Sequence, residues 1–431
     1  MDSSSLFLTA NCDTIYFWGF VDLSDGPMVI DVPPLGRPSG ILGTIDDMWF
    51  RWVTDVGLPG PGRAEGGRYL IVGPGYDGPL PDSGLHVFHA RTTHVTVICR
   101  AFLIDYDPAP AVEVIRNGFR VYPYVPGGRG TAIGTFLAGK SPLGAAEPAP
   151  EMNFVECTGR EFNTIFPGDY GFWEYVNELV QEQPPEAGDP ELLGLLAAVG
   201  IVHGKPFEPD ERMRKILEDA AVVGNATART INFAGRPQEG FEYHPGSAWF
   251  NMLFVGGYEF MDPPAEITPH GAVQAPSDGA RKLNARSCWF YPYTGVTPAI
   301  CMRLTGVGSQ YLANTHDSEG NYFDGGRNCR LTLPADIPES RFWSVILYDR
   351  QTRSMLKTDQ PYPSLGSQSG TVETNADGTT TIYFGPVAPE GKENNWLQTV
   401  PGKGWWTALR LYNPLQSFFD KTWRPSEIEP I

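Results

Sequence analysis

An alternation of apolar and polar positions in residues 339–360 predicts a buried β-strand followed by a polar segment. Alternate side chains point to opposite faces of a strand. Both faces here are mostly apolar, with Phe342, Ser344, Ile346 and Tyr348 on one and Trp343, Val345, Leu347 and Asp349 on the other. Because a strand with two apolar faces is covered on both sides, the pattern favours a sandwich or a barrel. The polar residues after Asp349 indicate either the rim of a site or a charged turn held by ion pairs.

Short strands separated by Gly/Pro turns predict a front β domain over residues 1–125. The predicted strands cover residues 14–23, 28–32, 47–55, 68–72, 85–91 and 94–103. Strands at this spacing are typical of a sandwich or a jelly roll.

The period of the pattern changes to that of a helix in the middle of the chain. Residues 126–150 are rich in Gly, Ala and Pro and predict a linker. Apolar residues at i, i+3 and i+4 then predict helices over residues 169–183, 189–201 and 210–229. Asp169 is a suitable N-terminal cap for the first helix, and Asp189-Pro190 opens the second with Pro at its first position. Residues 126–240 are therefore predicted to form a linker and a helical module.

The pattern returns to β over residues 241–431. The predicted strands cover residues 288–293, 299–304, 311–315, 329–333, 342–348, 379–384 and 406–412. The predicted fold class is thus mainly β, with two jelly-roll-like or sandwich-like β domains joined by a helical module.

The two β regions repeat one order of motifs. Three pairs of segments agree in order: 29–33 with 330–334, 69–74 with 382–386, and the strand ends at Arg100 and Arg410. In addition, Trp49 precedes Asp55 by six residues, and Trp343 precedes Asp349 by six. We therefore predict two similar β modules, in which Asp55 and Asp349 occupy equivalent strand ends.

The charge of the chain excludes one class of partner. The formal net charge is -18, and no run of basic residues is present. Nucleic-acid binding needs clustered Lys and Arg to replace counterions, so we expect no nucleic-acid partner. An anionic membrane surface is disfavoured for the same reason. No segment has 18 consecutive apolar residues, so we expect no membrane span.

The motifs that would hold a metal or a nucleotide are not found in the sequence. The six cysteines are far apart and form no C-x-x-C pair, which indicates reduced thiols. His86 and His89 would point to opposite faces of a strand and could not share an ion. Neither a Walker loop nor a G-x-S-x-G elbow occurs. We therefore expect no metal site and no organic cofactor.

Several long motifs resemble a two-part bacterial family. The segments NCDTIYFWGFVDLSDGPMVIDVP and RYLIVGPGYDG resemble its front half, domain of unknown function 1254, and FWSVILYDRQTRSML and PGKGWW resemble its back half, domain of unknown function 1214. The resemblance covers nearly the whole chain and implies two jelly-roll-like domains with helices between them, in a homo-oligomer. Family members usually carry several dozen residues before the Asn-x-Asp-Thr motif, which here begins at Asn11. We expect the chain to be cytoplasmic; the alternative, if its N-terminus is truncated, is a secreted or periplasmic parent.

The first candidate site residues belong to the motif at the start of the chain. Asn11 and Asp13 would share one strand face and could present an amide and a carboxylate to a pocket, whereas Tyr16 points to the other face. We expect Asp13 and Tyr16 to be catalytic and Asn11 to bind substrate. The structural alternative is an Asx-type cap at the entry to the strand.

The other candidates come from the two segments in which a Trp precedes an Asp. We expect catalytic roles for Asp55, Tyr348 and Asp349, and substrate binding by Trp49, Arg51, Trp343 and Arg353. Arg51 with Asp55 and Arg353 with Asp349 could each clamp a substrate carboxylate through a bidentate guanidinium. Each pair could equally be an ion pair within the domain.

Two functions follow from these residues. The first is a cofactor-independent enzyme that uses acid–base chemistry of the lyase, isomerase or hydrolase type on a small, largely apolar molecule. The alternative is a non-catalytic binding or assembly protein for carbohydrate or protein ligands, with exposed Trp396, Trp405 and Trp406 as its contact surface. The burial of these tryptophans distinguishes the two.

Overall fold

The computed structural model describes residues 1–36, 40–81, 83–126, 137, 150–157, 159–234, 239–265, 267–268, 271–272, 279–301 and 303–431. The predicted linker at 126–150 lies outside these residues, apart from residues 126, 137 and 150. The fold is mainly β, as predicted. No helix in the described part of the chain is long and apolar enough to cross a bilayer.

The front unit has eight strands and one helix between the last two. The strands are β1 (Thr14–Asp22), β2 (Met28–Val32), β3 (Ile41–Asp47), β4 (Trp52–Val56), β5 (Gly67–Val72), β6 (His86–His89), β7 (His94–Phe102) and β8 (Arg120–Pro123), and the helix is α1 (Ala109–Gly118). One sheet has the order β1-β7-β3-β4 and the other β6-β5-β2-β8. Ile45, Val97 and Cys99 of the first sheet pack against Ile30 and Ile71 of the second in one core.

The middle of the chain contains most of the helical residues. The helices are α2 (Gly171–Glu182), α3 (Pro190–Ala198), α4 (Glu211–Ala234) and α5 (Leu283–Phe290), and short 3-10 helices cover Pro185–Ala187, Met252–Phe254, Gly257–Glu259 and Pro298–Ile300. Four two-residue strands pair locally: β9 (Met261–Asp262), β10 (Ile267–Thr268), β11 (Gly271–Ala272) and β12 (Ala280–Arg281). Asp189 caps α3 because its carboxylate accepts the backbone N–H groups of Glu191 and Leu192.

The back unit also has eight strands. They are β13 (Ser309–Asn314), β14 (Cys329–Leu333), β15 (Glu339–Asp349), β16 (Ser364–Gly366), β17 (Thr380–Gly385), β18 (Trp396–Gln398), β19 (Trp405–Pro414) and β20 (Glu429–Pro430), with α6 (Gln416–Phe419) between the last two and a 3-10 helix at Glu393–Asn395. The sheets have the orders β13-β19-β15-β16 and β18-β17-β14-β20. Their shared core includes Leu331, Val345, Trp343, Ile382 and Leu409.

The two units repeat one topology strand by strand. Replacing β1–β8 by β13–β20 converts the sheet orders of the front unit into those of the back unit, including the parallel pairs β5·β6 and β17·β18. The helix before the last strand is repeated as well. The repeat that the motifs indicated is therefore present in the backbone.

Three predicted strands differ from the structure. The first half of the predicted strand at 288–293 is the end of the helix α5, and the predicted strand at 299–304 begins in a 3-10 turn. Both segments are apolar and aromatic, and a short apolar run does not distinguish a buried helix from a strand. The predicted strand at 47–55 is a turn followed by β4, and the true strand β3 ends at Asp47.

One sheet of each unit turns its outer face toward the other unit. We call β1-β7-β3-β4 and β13-β19-β15-β16 the facing sheets. Phe102 on β7 lies edge-on to Phe342 on β15, with ring centroids 6.2 Å apart. Arg100 Nη2 donates to Ser309 Oγ across the contact, at 3.0 Å. The contact between the facing sheets positions the candidate site.

Candidate functional site

A cavity of about 160 Å³ lies between the facing sheets. Most of its wall is apolar and includes Phe7, Leu42, Ile98, Val296 and Ile300. Its charged lining residues are Asp55, Arg100 and Arg410, and its phenols are Tyr16, Tyr293 and Tyr311. Such a combination of apolar wall and few polar groups is typical of a small-molecule site.

Asp55 is the carboxyl group of this wall, and it is only 2% exposed. Its Oδ1 accepts hydrogen bonds from Trp52 Nε1, at 3.2 Å, and from Thr297 Oγ1. Burial raises the pKa of Asp55 to about 6, although these hydrogen bonds favour the ionised form. A carboxyl with such a pKa is divided between its acid and base forms close to neutral pH.

Asp46 is a second buried carboxyl beside the cavity. It accepts the Val296 backbone N–H at 3.0 Å and the Thr44 hydroxyl at 3.1 Å. Burial raises the pKa of Asp46 to about 8. Gly295, with φ of +111°, lies so close that an added Cβ would be 3.2 Å from Asp46 Oδ2. Asp46 thus fixes the loop that carries Thr297.

Two arginines define another part of the wall. Arg410 is 3% exposed, and its Nη2 donates to the Tyr348 hydroxyl at 2.6 Å and to the Thr9 carbonyl at 3.1 Å. Its Nε has no hydrogen-bond partner among the described residues. Arg100 is less buried and contacts the Tyr412 ring, 5.4 Å from its centroid. In the described chain no carboxylate lies within 4.0 Å of either guanidinium.

The repeat brings these arginines together. Arg100 on β7 is paired in register with Tyr16 on β1, and Arg410 on β19 with Tyr311 on β13. Both arginines were visible in the sequence as repeated strand ends but were not predicted as site residues. The signal was a charged residue at the same place in two otherwise apolar strands.

Asn11 and Asp13 lie close together but not in the cavity wall. Asn11 Oδ1 accepts the Asp13 backbone N–H at 2.6 Å, which is the Asx-type geometry of the structural alternative. Asn11 Nδ2 donates to the Tyr412 hydroxyl. Asp13 Oδ1 accepts from Ser364 Oγ at 2.8 Å, and burial raises the pKa of Asp13. Of this motif, Tyr16 lines the cavity.

Tyr348 lies behind Arg410. Its hydroxyl accepts from Arg410 and donates to the Ala10 carbonyl at 2.8 Å. Its ring stacks on Trp406, with centroids 4.5 Å apart. Tyr348 therefore contacts the cavity through the guanidinium that it holds.

Of the two alternatives for Arg51 with Asp55 and Arg353 with Asp349, the ion pair within the domain is not found among the described residues. Arg51 Nε lies 2.6 Å from Asp47 Oδ2. Asp349 pairs with Lys403 Nζ at 3.2 Å. Spacing along one strand suggested the first pair, but the turn between β3 and β4 places Arg51 beside Asp47.

Arg353 is buried against aromatic rings. Its guanidinium lies 4.1 Å from the Tyr291 ring centroid, and its Nη1 donates to the Gln351 carbonyl at 2.6 Å. Its backbone has a φ of +60°. Arg353 lies in the turn after β15, outside the cavity wall, and its side chain packs on Tyr291.

The predicted equivalence of Asp55 and Asp349 is also wrong. Asp349 ends β15, whereas Asp55 lies on β4. The registers Leu42↔Arg100 and Ser344↔Arg410 place Asp47 at the position equivalent to Asp349. The same comparison makes Thr44 equivalent to Ile346. Thr44 pairs with Asp55 and Ile346 pairs with Ser364, so Ser364 is the counterpart of Asp55.

The predicted tryptophans lie outside the cavity wall. Trp343 packs in the core of the back unit, and Trp49 packs against Val180 and Leu196 of α2 and α3. Trp405 and Trp406 are also buried, so they offer no contact surface for a sugar or a partner. Trp396 is partly exposed, and its Nε1 donates to the Gly385 carbonyl.

The described residues contain no cluster of three or more His, Cys, Asp or Glu side chains that could hold a metal ion. His86 and His89 are at opposite ends of β6. The charged groups of the cavity are those of Asp55 and the two arginines. What the arrangement offers chemically is a proton acceptor, phenols and two permanent positive charges.

Two solved structures are similar to the chain. The crystal structure of the VPA0106 protein from Vibrio parahaemolyticus is 18% identical, covers 98% of this chain and 90% of that chain, and gives a TM-score of 0.55. A crystal structure of an uncharacterised protein from Burkholderia cenocepacia is 12% identical, covers 99% of this chain and 78% of that chain, and gives a TM-score of 0.41. The first comparison shows a shared fold. No curated protein matches the sequence.

Two family models match the sequence in the predicted order. Residues 1–123 match the protein of unknown function DUF1254. Residues 308–416 match the protein of unknown function DUF1214. The matched segments lie in the two repeated β units, which confirms the resemblance of the motifs. The chain therefore belongs to the two-part family formed by domains of unknown function 1254 and 1214.

Proposed function

We propose that the protein is an enzyme that performs acid–base chemistry on a small, largely apolar organic molecule in the cavity between the facing sheets. Asp55 is the proton acceptor. The observation that carries the proposal is its position: a buried carboxyl with a pKa of about 6 in the wall of an otherwise apolar cavity. A general base is most effective when its pKa lies near the working pH.

The neighbours of Asp55 support this role. The Trp52 and Thr297 donors hold one carboxylate oxygen, which orients the group toward the cavity. Tyr16, Tyr311 and the two arginines are donors that could stabilise negative charge on the substrate. Proton abstraction with such stabilisation suits a lyase, isomerase or hydrolase step without an organic cofactor.

We also propose that the protein has two jelly-roll-like domains, a helical module between them, and a homo-oligomeric state. Each β unit is a jelly-roll-like domain, for which eight strands in two sheets is the supporting feature. Helices α2–α4 form the connecting module within residues 126–240. The chain forms a homo-oligomer, for which exposed Ile216, Val222 and Val223 on α4 offer an apolar surface.

Isotope incorporation tests the function without a known substrate. The protein is incubated in D₂O with a panel of small aromatic and aliphatic acids, ketones and esters, and deuterium incorporation and product formation are followed by NMR. We expect at least one compound to react, and Asp55→Asn to lower its rate by at least a hundredfold. The rate should also fall about tenfold per pH unit below about pH 6, because Asp55 is then protonated.

The matched control is Asp31→Asn, which changes a carboxyl on β2 that pairs with Arg68 away from the cavity. This variant should react like the unmodified protein. A reaction that survives Asp55→Asn unchanged contradicts the assignment of the base. A compound that binds tightly at Asp55 but never reacts would support the non-catalytic binding alternative instead.

A further inference from the structure

We infer that the molecule bound in the cavity carries a carboxylate, which the guanidinium groups of Arg410 and Arg100 hold beside Tyr16 and Tyr311. That the bound molecule is a substrate rests on the proposed function, whereas its binding through a carboxylate does not. The juxtaposition of two arginines and two tyrosines in one apolar cavity carries the inference.

The first step is the charge of Arg410. This guanidinium is 3% exposed, and its hydrogen-bond partners among the described residues, the Tyr348 hydroxyl and the Thr9 carbonyl, are neutral. A guanidinium stays protonated in proteins, and a buried charge without a counter-charge is costly. Within the part of the chain that the structure describes, Nε also has no hydrogen-bond partner, although Arg410 lines the cavity. An anion in the cavity would supply both the charge and the missing acceptor.

The second step is the duplication of the cationic group. Arg100 occupies the equivalent strand position in the front unit and lines the same cavity. Among the described lining residues, the cavity wall thus carries two positive charges against the one carboxylate of Asp55. In a chain with a net charge of -18, this is a local site for an anion. Planar guanidinium groups bind carboxylates through two parallel hydrogen bonds.

The third step is the size and polarity of the remaining wall. A dry protein cavity of about 150 Å³ accommodates benzene, and this cavity measures about 160 Å³. Phe7, Leu42 and Ile98 provide apolar contacts. The bound molecule is therefore a carboxylate on a small apolar body, such as a monocyclic aromatic acid.

Asp13 is the rival counter-charge. It is 1% exposed and its electrostatic interaction with Arg410 and Arg100 favours the ionised carboxylate, but neither guanidinium lies within hydrogen-bonding distance in the described structure. Ser364 occupies one of its oxygens at 2.8 Å. If Asp13 alone balanced the arginines, added anions would gain nothing at this site.

Binding of benzoate tests the inference, with benzyl alcohol as the uncharged probe. Both are titrated calorimetrically into the protein at pH 7.5, in a buffer without carboxylic acids. We expect benzoate to bind at least tenfold more tightly than benzyl alcohol. Arg410→Gln and Arg100→Gln should each weaken benzoate binding at least tenfold and leave benzyl alcohol binding nearly unchanged.

The control variant is Arg330→Gln, which removes an exposed guanidinium paired with Glu429 and should bind benzoate like the unmodified protein. Arg100 is less buried than Arg410, so Arg100→Gln provides the test if Arg410→Gln does not fold. Equal affinity for the two probes overturns the inference. So does benzoate binding that survives both substitutions, or competition by chloride at the concentration of benzoate.

Asp55→Asn separates this inference from the proposed function. The variant should still bind benzoate, because the arginines remain. Arginine-dependent binding of benzoate with no reaction of any compound in the isotope assay would support the carboxylate site and contradict the enzyme. A reaction of uncharged compounds alone, at a rate that Arg100→Gln does not change, would support the enzyme and contradict the carboxylate site.

Discussion

Asp46 and Asp55 are two buried carboxyl groups on neighbouring strands whose environments separate their acidities. Burial raises the pKa of Asp46 to about 8 and that of Asp55 to about 6. Near pH 7 the first group holds its proton and the second has mostly lost it. Pairs of carboxyls with separated pKa values commonly have different roles in one site. Here Asp46 fixes the Val296 loop, while Asp55 is free to exchange a proton.

The protonated state of Asp46 predicts a pH dependence of stability. Its folded pKa lies above its ordinary value of 3.8, so the folded protein binds the proton more tightly than the unfolded chain. The free energy of unfolding should therefore fall as the pH rises toward 8, and Asp46 contributes to this fall together with Asp13 and Asp55, whose pKa values burial also raises. The contribution of Asp46 to the slope is at most about 1.4 kcal/mol per pH unit. Asp46→Asn, which stays neutral, should flatten it.

Urea unfolding at pH 6, 7 and 8 measures this slope. Asp31→Asn should keep the slope of the unmodified protein, since Asp31 lies on β2 away from the cavity. A slope that Asp46→Asn leaves unchanged would contradict the assignment of the proton to Asp46.

At the scale of the element, similar turns follow β3 and β15, and the second is one residue longer. Asp47 Oδ1 accepts the backbone N–H groups of Trp49 and Arg51, and Asp349 Oδ1 accepts those of Gln351 and Thr352. Each carboxylate also holds a cation, through Arg51 or Lys403. The end of each strand is therefore closed by a carboxylate that accepts hydrogen bonds from two backbone N–H groups.

Replacing these carboxylates should destabilise the protein without the loss of any cavity residue. We expect Asp47→Ala and Asp349→Ala each to lower the free energy of unfolding by about 1–3 kcal/mol, since the backbone donors lose their acceptors. Lys403→Gln removes an exposed partner and should cost less than about 1 kcal/mol. Chemical denaturation measures all three, and a Lys403→Gln effect as large as that of Asp349→Ala would show that the ion pair, not the turn, stabilises the strand end.

The repeat of the strands could be predicted from the sequence, because apolar runs ending in Pro or Gly-Pro mark strand ends locally. The true counterparts of Asp55 and Asp349 could not be predicted. The six-residue spacing after Trp49 and Trp343 suggested that the two carboxylates are equivalent, but it does not account for the turn that follows β3. The helix α5 was missed because an apolar segment reads alike in a helix and a strand.

The candidate site was predicted only in part. Asp55 and Tyr16 do line the cavity, whereas the predicted Arg51 and Arg353 lie in turns outside it. The cavity arginines meet only when the two units face each other, which depends on contacts between residues such as Arg100 and Ser309, more than two hundred positions apart. No local pattern of residues records such a contact.

At the scale of the whole molecule, the segment before the first strand of each unit forms a hydrogen bond with a strand of the other unit. Asp13, just before β1, accepts a hydrogen bond from Ser364 on β16, and Thr297, before β13, donates to Asp55 on β4. The carboxylate and the hydroxyl exchange places between the two contacts. With the packing of Phe102 on Phe342, these contacts join the units on both sides of the cavity.

Such reciprocal contacts predict that the two units unfold together. Calorimetry should give a single transition that coincides with the loss of tryptophan fluorescence and of far-ultraviolet circular dichroism. Ser364→Ala should shift this transition as a whole to lower temperature. Two resolved transitions, one of which Ser364→Ala leaves in place, would show that the units unfold independently.

The repeated topology also has a consequence for how the protein orients what it binds. In a pair of identical subunits related by a twofold axis, every group at one end of a shared cavity recurs at the other end. A single chain with two diverged halves is free of that constraint, and Ser364 stands where the front half has Asp55. The two ends of the cavity therefore differ chemically. A nearly symmetric compound would bind with one end consistently toward the Asp55 carboxyl.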